Sequence, residues 1–193
     1  MTNAKSSARD LVAAAVLMGT GSGEQLGARG FYEMRCLDAD RKPKWLSRSK
    51  NLVVNGGLKD MNDKYFTGVA YTAAWFVGLY GAAATNNPAA ADTMAAHPGW
   101  VEVVPYSEAT RPAVVFAPAT LASPSIITNA ASPAQYNINA NGTIGGAFLV
   151  SNNVKSGATG ILFSAADLQP PGDRIVAAGD IILLTYRFEL SAL

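Results

Sequence analysis

The stretch Gly179-Asp180-Ile181-Ile182-Leu183-Leu184-Thr185-Tyr186-Arg187-Phe188-Glu189-Leu190 constrains the fold of this chain more than any other. From Ile182 on, Ile182, Leu184, Tyr186, Phe188 and Leu190 alternate with Leu183, Thr185, Arg187 and Glu189. A period of two marks a β-strand with one face on a core and the other nearer water. Gly179-Asp180 supplies turn chemistry ahead of it. A strand this apolar, left as a bare edge, would template aggregation, so it is expected inside a sheet. The rest of the chain then has to provide its neighbours and a second layer.

Those neighbours are legible as short strands. Gly30 to Leu37 and Lys44 to Asn51 read as a charged hairpin over residues 31–51, turned by Asp38-Ala39-Asp40-Arg41-Lys42-Pro43. Further strands are expected at 71–80, 100–104, 111–116, 125–128, 134–139, 145–150, 160–163 and 174–176. Between them lie the turn formers Asn86-Asn87-Pro88, His97-Pro98-Gly99, Asn141-Gly142 and Pro170-Pro171-Gly172. Gly142-Thr143-Ile144-Gly145-Gly146 reads as a turn or bulge, because no helix follows to make a phosphate loop. One helix is expected at about 55–66: Val54, Leu58, Met61 and Tyr65 share a face, Asn55 can cap its start and Thr67-Gly68 ends it. This pattern predicts a mainly β protein, a β-sandwich of jelly-roll-like form with one short helix, over residues 30–193.

Residues 1–29 read as an N-terminal arm. Leu11-Val12-Ala13-Ala14-Ala15-Val16-Leu17-Met18 is apolar and follows Lys5 and Arg9, with Gly19-Thr20-Gly21-Ser22-Gly23 after it. The run is too short to span a bilayer, and Asp10 abuts it, so it is expected to be an arm that needs a partner surface and not a secretory signal.

Charge is sparse, 15% of the 193 residues, with a net of +1. That argues against field-driven binding to nucleic acid or to anionic membrane as the main business. It is also uneven. Residues 31–64 hold thirteen charges (Glu33, Arg35, Asp38, Asp40, Arg41, Lys42, Lys44, Arg48, Lys50, Lys59, Asp60, Asp63, Lys64), and residues 66–171 hold six (Asp92, Glu102, Glu108, Arg111, Lys155, Asp167). A long stretch with so few charges predicts surface covered by other subunits. The basic residues between Arg35 and Lys50 could form a nucleic-acid patch, but Asp38 and Asp40 interrupt them and strand alternation is expected to send them to both faces, which favours a solvated hairpin or an interface rim.

Reactive chemistry is scarce. His97 is the sole histidine and Cys36 the sole cysteine. His97 reads as a loop residue and Cys36 as a small buried one, with no internal disulfide possible. A metal site is not expected from one His and one Cys. Glu102 and Glu108 could pair as glycosidase acids, although Arg111 can simply neutralise Glu108. Trp45, Trp75 and Trp100 could stack on sugars, but each sits in a strand pattern where burial is the default. No catalytic residue, cofactor or metal ligand is predicted, and the chain reads as non-enzymatic.

Several stretches together carry a family resemblance. They are Lys50-Asn51-Leu52-Val53-Val54-Asn55-Gly56-Gly57-Leu58, Trp75-Phe76-Val77-Gly78-Leu79, Asp92-Thr93-Met94-Ala95-Ala96-His97-Pro98-Gly99-Trp100-Val101-Glu102, Tyr106-Ser107-Glu108-Ala109-Thr110-Arg111-Pro112, Gly145-Gly146-Ala147-Phe148-Leu149 and the strand after Gly179-Asp180. In this order, over roughly residues 30–190, they resemble the cement (decoration) proteins of short-tailed bacteriophages. The resemblance implies a self-associating structural protein of the virion, made in the bacterial cytoplasm. It would bind the major capsid protein on the outside of the assembled shell. A tail or fibre module binding host-surface glycan is the alternative.

Overall fold

The computed structural model describes residues 26–71, 74–81, 88–169 and 172–192. The elements are β1 (Leu26–Leu37), β2 (Pro43–Lys50), β3 (Leu52–Val53), α1 (Asn55–Phe66), β4 (Trp75–Gly81), β5 (Val101–Val103), β6 (Ala113–Val114), β7 (Ser125–Thr128), β8 (Ala134–Asn137), β9 (Gly142–Ile144), β10 (Gly146–Val150), β11 (Leu162–Asp167), β12 (Arg174–Val176) and β13 (Ile181–Ala192). They form a β-sandwich with one short helix. The first sheet runs β2-β1-β13, and the far edge of β13 is shared by β7 and β8. The second runs β3-β11-β10-β4, and the far edge of β4 is shared by β5 and β6. β12 and β9 make a separate ribbon.

The alternation in β13 does what its pattern predicts. Ile182, Leu184, Tyr186, Phe188 and Leu190 enter the main core between the sheets, where they meet Tyr32, Met34 and Cys36 of β1 and Val77, Leu79, Ala147 and Leu149 of the second sheet. β1 pairs with β13 along twelve residues, from Leu26↔Ala192 to Leu37↔Ile181. β1 therefore begins at Leu26, so the last four residues of the expected 1–29 arm belong to the sandwich. The run at 11–18 lies outside the described residues.

The second sheet is covered on both faces. Val77 and Leu79 of β4 face the main core, while Phe76 and Tyr80 face a second cluster with Phe148, Val150, Met94 and Trp100. Strands buried on both faces lose the polar alternation, as Gly146-Ala147-Phe148-Leu149-Val150 does. Two glycines make room for rings on this outer side. A Cβ at Gly78 would lie 2.1 Å from Phe148, and one at Gly146 would lie 2.0 Å from Tyr80.

Other expectations need correcting. Residues 142–144, read as a turn, form β9 and pair with β12, since extended backbone there is satisfied by the 174–176 strand. Strand 111–116 shrinks to Ala113–Val114, because Arg111 turns inward to an ion pair. Strand 160–163 shifts to Leu162–Asp167, and residues 72–73 of the expected 71–80 strand lie outside the described residues. Asn55 does not cap α1; the cap position is Val54, without a side-chain bond. The helix face also differs. Val54 and Met61 of the expected face are buried or packed on the core, together with Gly57, while Leu58 and Tyr65 are exposed. Gly57 explains the rotation, because its missing side chain lets α1 approach the Phe163 backbone; a Cβ there would lie 2.4 Å from Phe163 O.

Two predictions follow from this packing. Phe188 is 6% exposed and touches Phe163 edge to face, so Phe188→Ala is expected to cost about 3–5 kcal/mol in urea unfolding. Arg187→Ala, on the outer face, should cost much less, even though it unpairs Glu189. Similar losses from both would show that the faces are misassigned. Burial also holds the phenols of Tyr32, Tyr80, Tyr106, Tyr136 and Tyr186 well above the usual tyrosine range. Below about pH 10 both folded and unfolded chains keep these phenols protonated; above it only the unfolded chain ionises. Stability should therefore fall by about 1.4 kcal/mol per pH unit per phenol, in one cooperative alkaline transition. Gradual phenolate formation by these five with near-UV circular dichroism intact would contradict the burial.

Candidate functional site

The residues with reactive side chains are built into the scaffold. His97 stacks on Trp100 with ring centroids 3.8 Å apart, and its Nδ1 lies 2.9 Å from the Trp100 carbonyl. Trp100 is buried against Tyr80 and Phe148, and its indole N–H donates to Asp92 at 2.9 Å. The 92–102 stretch is thus the lid over the outer face of the second sheet. Trp45 and Trp75 pack against the main core. Cys36 is buried beside Asp180, and burial first, then that carboxylate, push its thiol up to about 12.

Glu102 and Glu108 do not form a pair. Arg111, fully buried, donates two bonds to the Glu102 carboxylate at 2.9 and 2.6 Å and two more to the carbonyls of Asn152 and Gly157. Ser156 N–H also donates to Glu102. Glu108 instead accepts from the backbone and side chain of Asn137. The expected neutralisation of Glu108 by Arg111 is replaced by this Arg111–Glu102 clasp, which ties residues 152–157 to β5.

The candidate site is the outer face of the first sheet. The Asp38 carboxylate accepts from Asp40 N–H and Lys42 N–H, and the turn sets Arg35 opposite Leu46 and Glu33 opposite Arg48. Tyr32, Met34, Ser47 and Ser49 point inward, so Phe31, Glu33, Arg35, Leu46, Arg48 and Lys50 all point outward. Arg35, Arg48 and Lys50 share one face, contrary to expectation, because partners in register across an antiparallel pair always do, whereas Lys44 bonds the buried Asp180 carboxylate at 2.6 Å. β13 adds Leu183, Thr185, Arg187 and Glu189 to that face, and β1 adds Arg29.

Five basic residues (Arg29, Arg35, Arg48, Lys50, Arg187) thus meet two acids (Glu33, Glu189), an excess well beyond the chain's net +1. Glu33 bonds Arg48 at 2.6 Å and lies 3.6 Å from Arg35; Arg187 bonds Glu189 at 2.6 Å. A groove of about 650 Å³ opens here, running from Phe31 and Arg48 to Thr128 and Pro133. It exists because β7 and β8 pair with opposite halves of β13 and leave the middle free. Buried Asn129 fills the gap in hydrogen bonding: its amide donates to Leu184 O and its oxygen accepts from Tyr186 N–H. Forked guanidiniums around an apolar floor suit carboxylates on a partner's surface.

No family model, curated protein or solved structure matches the chain. Among the described residues no group of three His, Cys, Asp or Glu is placed to hold a metal, and no helix is long and apolar enough to cross a membrane. Sequence reasoning missed the charged face. The alternation of the hairpin could have revealed its first half, but Arg187, 139 positions from Arg48, joins only through the β1–β13 register.

Arg111 is 1% exposed and Glu102 is its ion-pair partner, so Arg111→Ala should cost about 3–5 kcal/mol by leaving a buried carboxylate unpaired. Replacing both, as Arg111→Met with Glu102→Leu, should recover most of that loss in urea unfolding. A double variant no more stable than Arg111→Ala would show that the bonds to residues 152–157, not the charge pair, carry the stability.

Proposed function

We propose that this protein is a non-catalytic structural component of a phage virion that binds the assembled capsid shell and stabilises it. The observation that carries the reading is the basic outer face of the first sheet, which the described chain leaves largely open around Arg35, Arg48 and Arg187, whereas the second sheet is covered on both sides. The ordered motifs that resemble cement proteins support it. So does the structural use of His97, Cys36, Glu102 and Asp92. The mechanism is linkage: a ligand that binds only the assembled lattice stabilises it by about 2.7 kcal/mol at a hundredfold excess over Kd. Acidic groups shared between neighbouring capsid subunits would meet Arg35, Arg48 and Arg187 only after assembly. The groove, with Phe31 beside polar and charged side chains, favours a second reading in which a tail-associated copy binds host glycan.

The test is genome release on heating, using capsids stripped of the protein and capsids to which it has been returned. Return of the protein should raise the release temperature, and Arg35→Glu with Arg48→Glu should weaken attachment about tenfold or more. Attachment through this face should weaken as salt rises from about 0.05 to 0.5 M. Attachment through the sparsely charged surface of residues 66–171 would instead persist in high salt. Equal release temperatures with and without the protein would reject the capsid reading; glycan-array binding lost in the same double variant would establish the second.

A further inference from the structure

We propose that the exposed aromatic ridge at the end of α1 is the seat of the chain's own apolar run, Leu11-Val12-Ala13-Ala14-Ala15-Val16-Leu17-Met18. The ridge is an amphipathic helix face without a partner among the described residues. Leu58 and Tyr65, seven residues apart, line up on the side of α1 opposite to solvent-shunning logic: they are 45% and 83% exposed. Phe66 (76%) stacks edge to face on Tyr65 at 4.8 Å, and Val69 and Tyr71, also exposed, follow within five residues of the helix end. Clustered aromatics left in water mark a contact surface, whereas single exposed apolar residues do not.

Position and reach point to the occupant. Gly30 of β1 and Asn51, just before α1, are joined by a backbone bond of 3.0 Å, so β1 and α1 start from one neighbourhood. Leu26 lies four residues, roughly 13 Å of strand, before Gly30. Phe66 lies nine residues, roughly 14 Å of helix, beyond Gly57. The eight residues from Leu26 back to Met18 reach up to roughly 27 Å when extended, as long as those two spans together, which suits a seat on the ridge of its own subunit or of an adjacent copy. The run has no charged or hydrogen-bonding side chain, and the ridge offers rings and aliphatic groups to match. The inference is independent of what the protein attaches to.

The experiment places the photocrosslinking residue p-benzoylphenylalanine at position 65 of the full chain, and identifies linked peptides by mass spectrometry. Linkage to the peptide containing residues 11–18 is expected, at monomer mass if the run folds back and at dimer mass if it reaches a neighbour. Val16→Asp with Leu17→Asp should lower that yield about tenfold or more without changing the melting of the β-sandwich. A probe at exposed Val154 should not capture the run. Absence of the link, capture of other peptides in its place, or a yield unchanged by the aspartates would overturn the proposal.

Discussion

The structure depends on the double commitment of β13. Its inner face contributes Ile182, Leu184, Tyr186 and Phe188 to the core, and its backbone pairs with β1 on one side and with β7 and β8 on the other. A one-residue slip would exchange those side chains for Leu183, Thr185, Arg187 and Glu189, burying charge and exposing rings. Register is therefore fixed by burial, and the twelve-residue pairing with β1 carries that register to the hairpin. Tyr32 extends the same control across the sandwich, since its hydroxyl meets both the carbonyl and the hydroxyl of Ser164 on β11.

Sidedness separates the two sheets. The second sheet is covered outside by the 92–102 lid, with Trp100 held by Asp92, His97, Tyr80 and Phe148. Beside it, the buried Arg111–Glu102 clasp is satisfied on nearly every polar atom, which is what makes a buried ion pair tolerable. Among the described residues the first sheet has no such cover. Its outer face keeps basic, acidic and apolar groups in rows across the strands, and the Asn129 substitution for a missing strand pair opens the groove along its middle. One sheet is packed on both sides, and the other leaves one side open among the described residues.

Sequence determined the class and most of the punctuation. Period-two alternation marked β13, β1 and β2; the Asp38–Pro43 turn and Thr67-Gly68 marked ends that the structure keeps. These signals are local, because each rests on the geometry of a few consecutive residues. Tertiary structure decided what local pattern could not. The helical face containing Leu58 and Tyr65 looked like the buried one, yet Gly57 is the contact, since close backbone approach to Phe163 outweighs apolar side-chain count. By sequence Arg111 could neutralise Glu108, and only the fold of 152–157 around it selects Glu102. The basic face likewise needed register: whether Arg35, Arg48 and Arg187 stand together depends on pairing between residues far apart in sequence, which alternation within each strand leaves open.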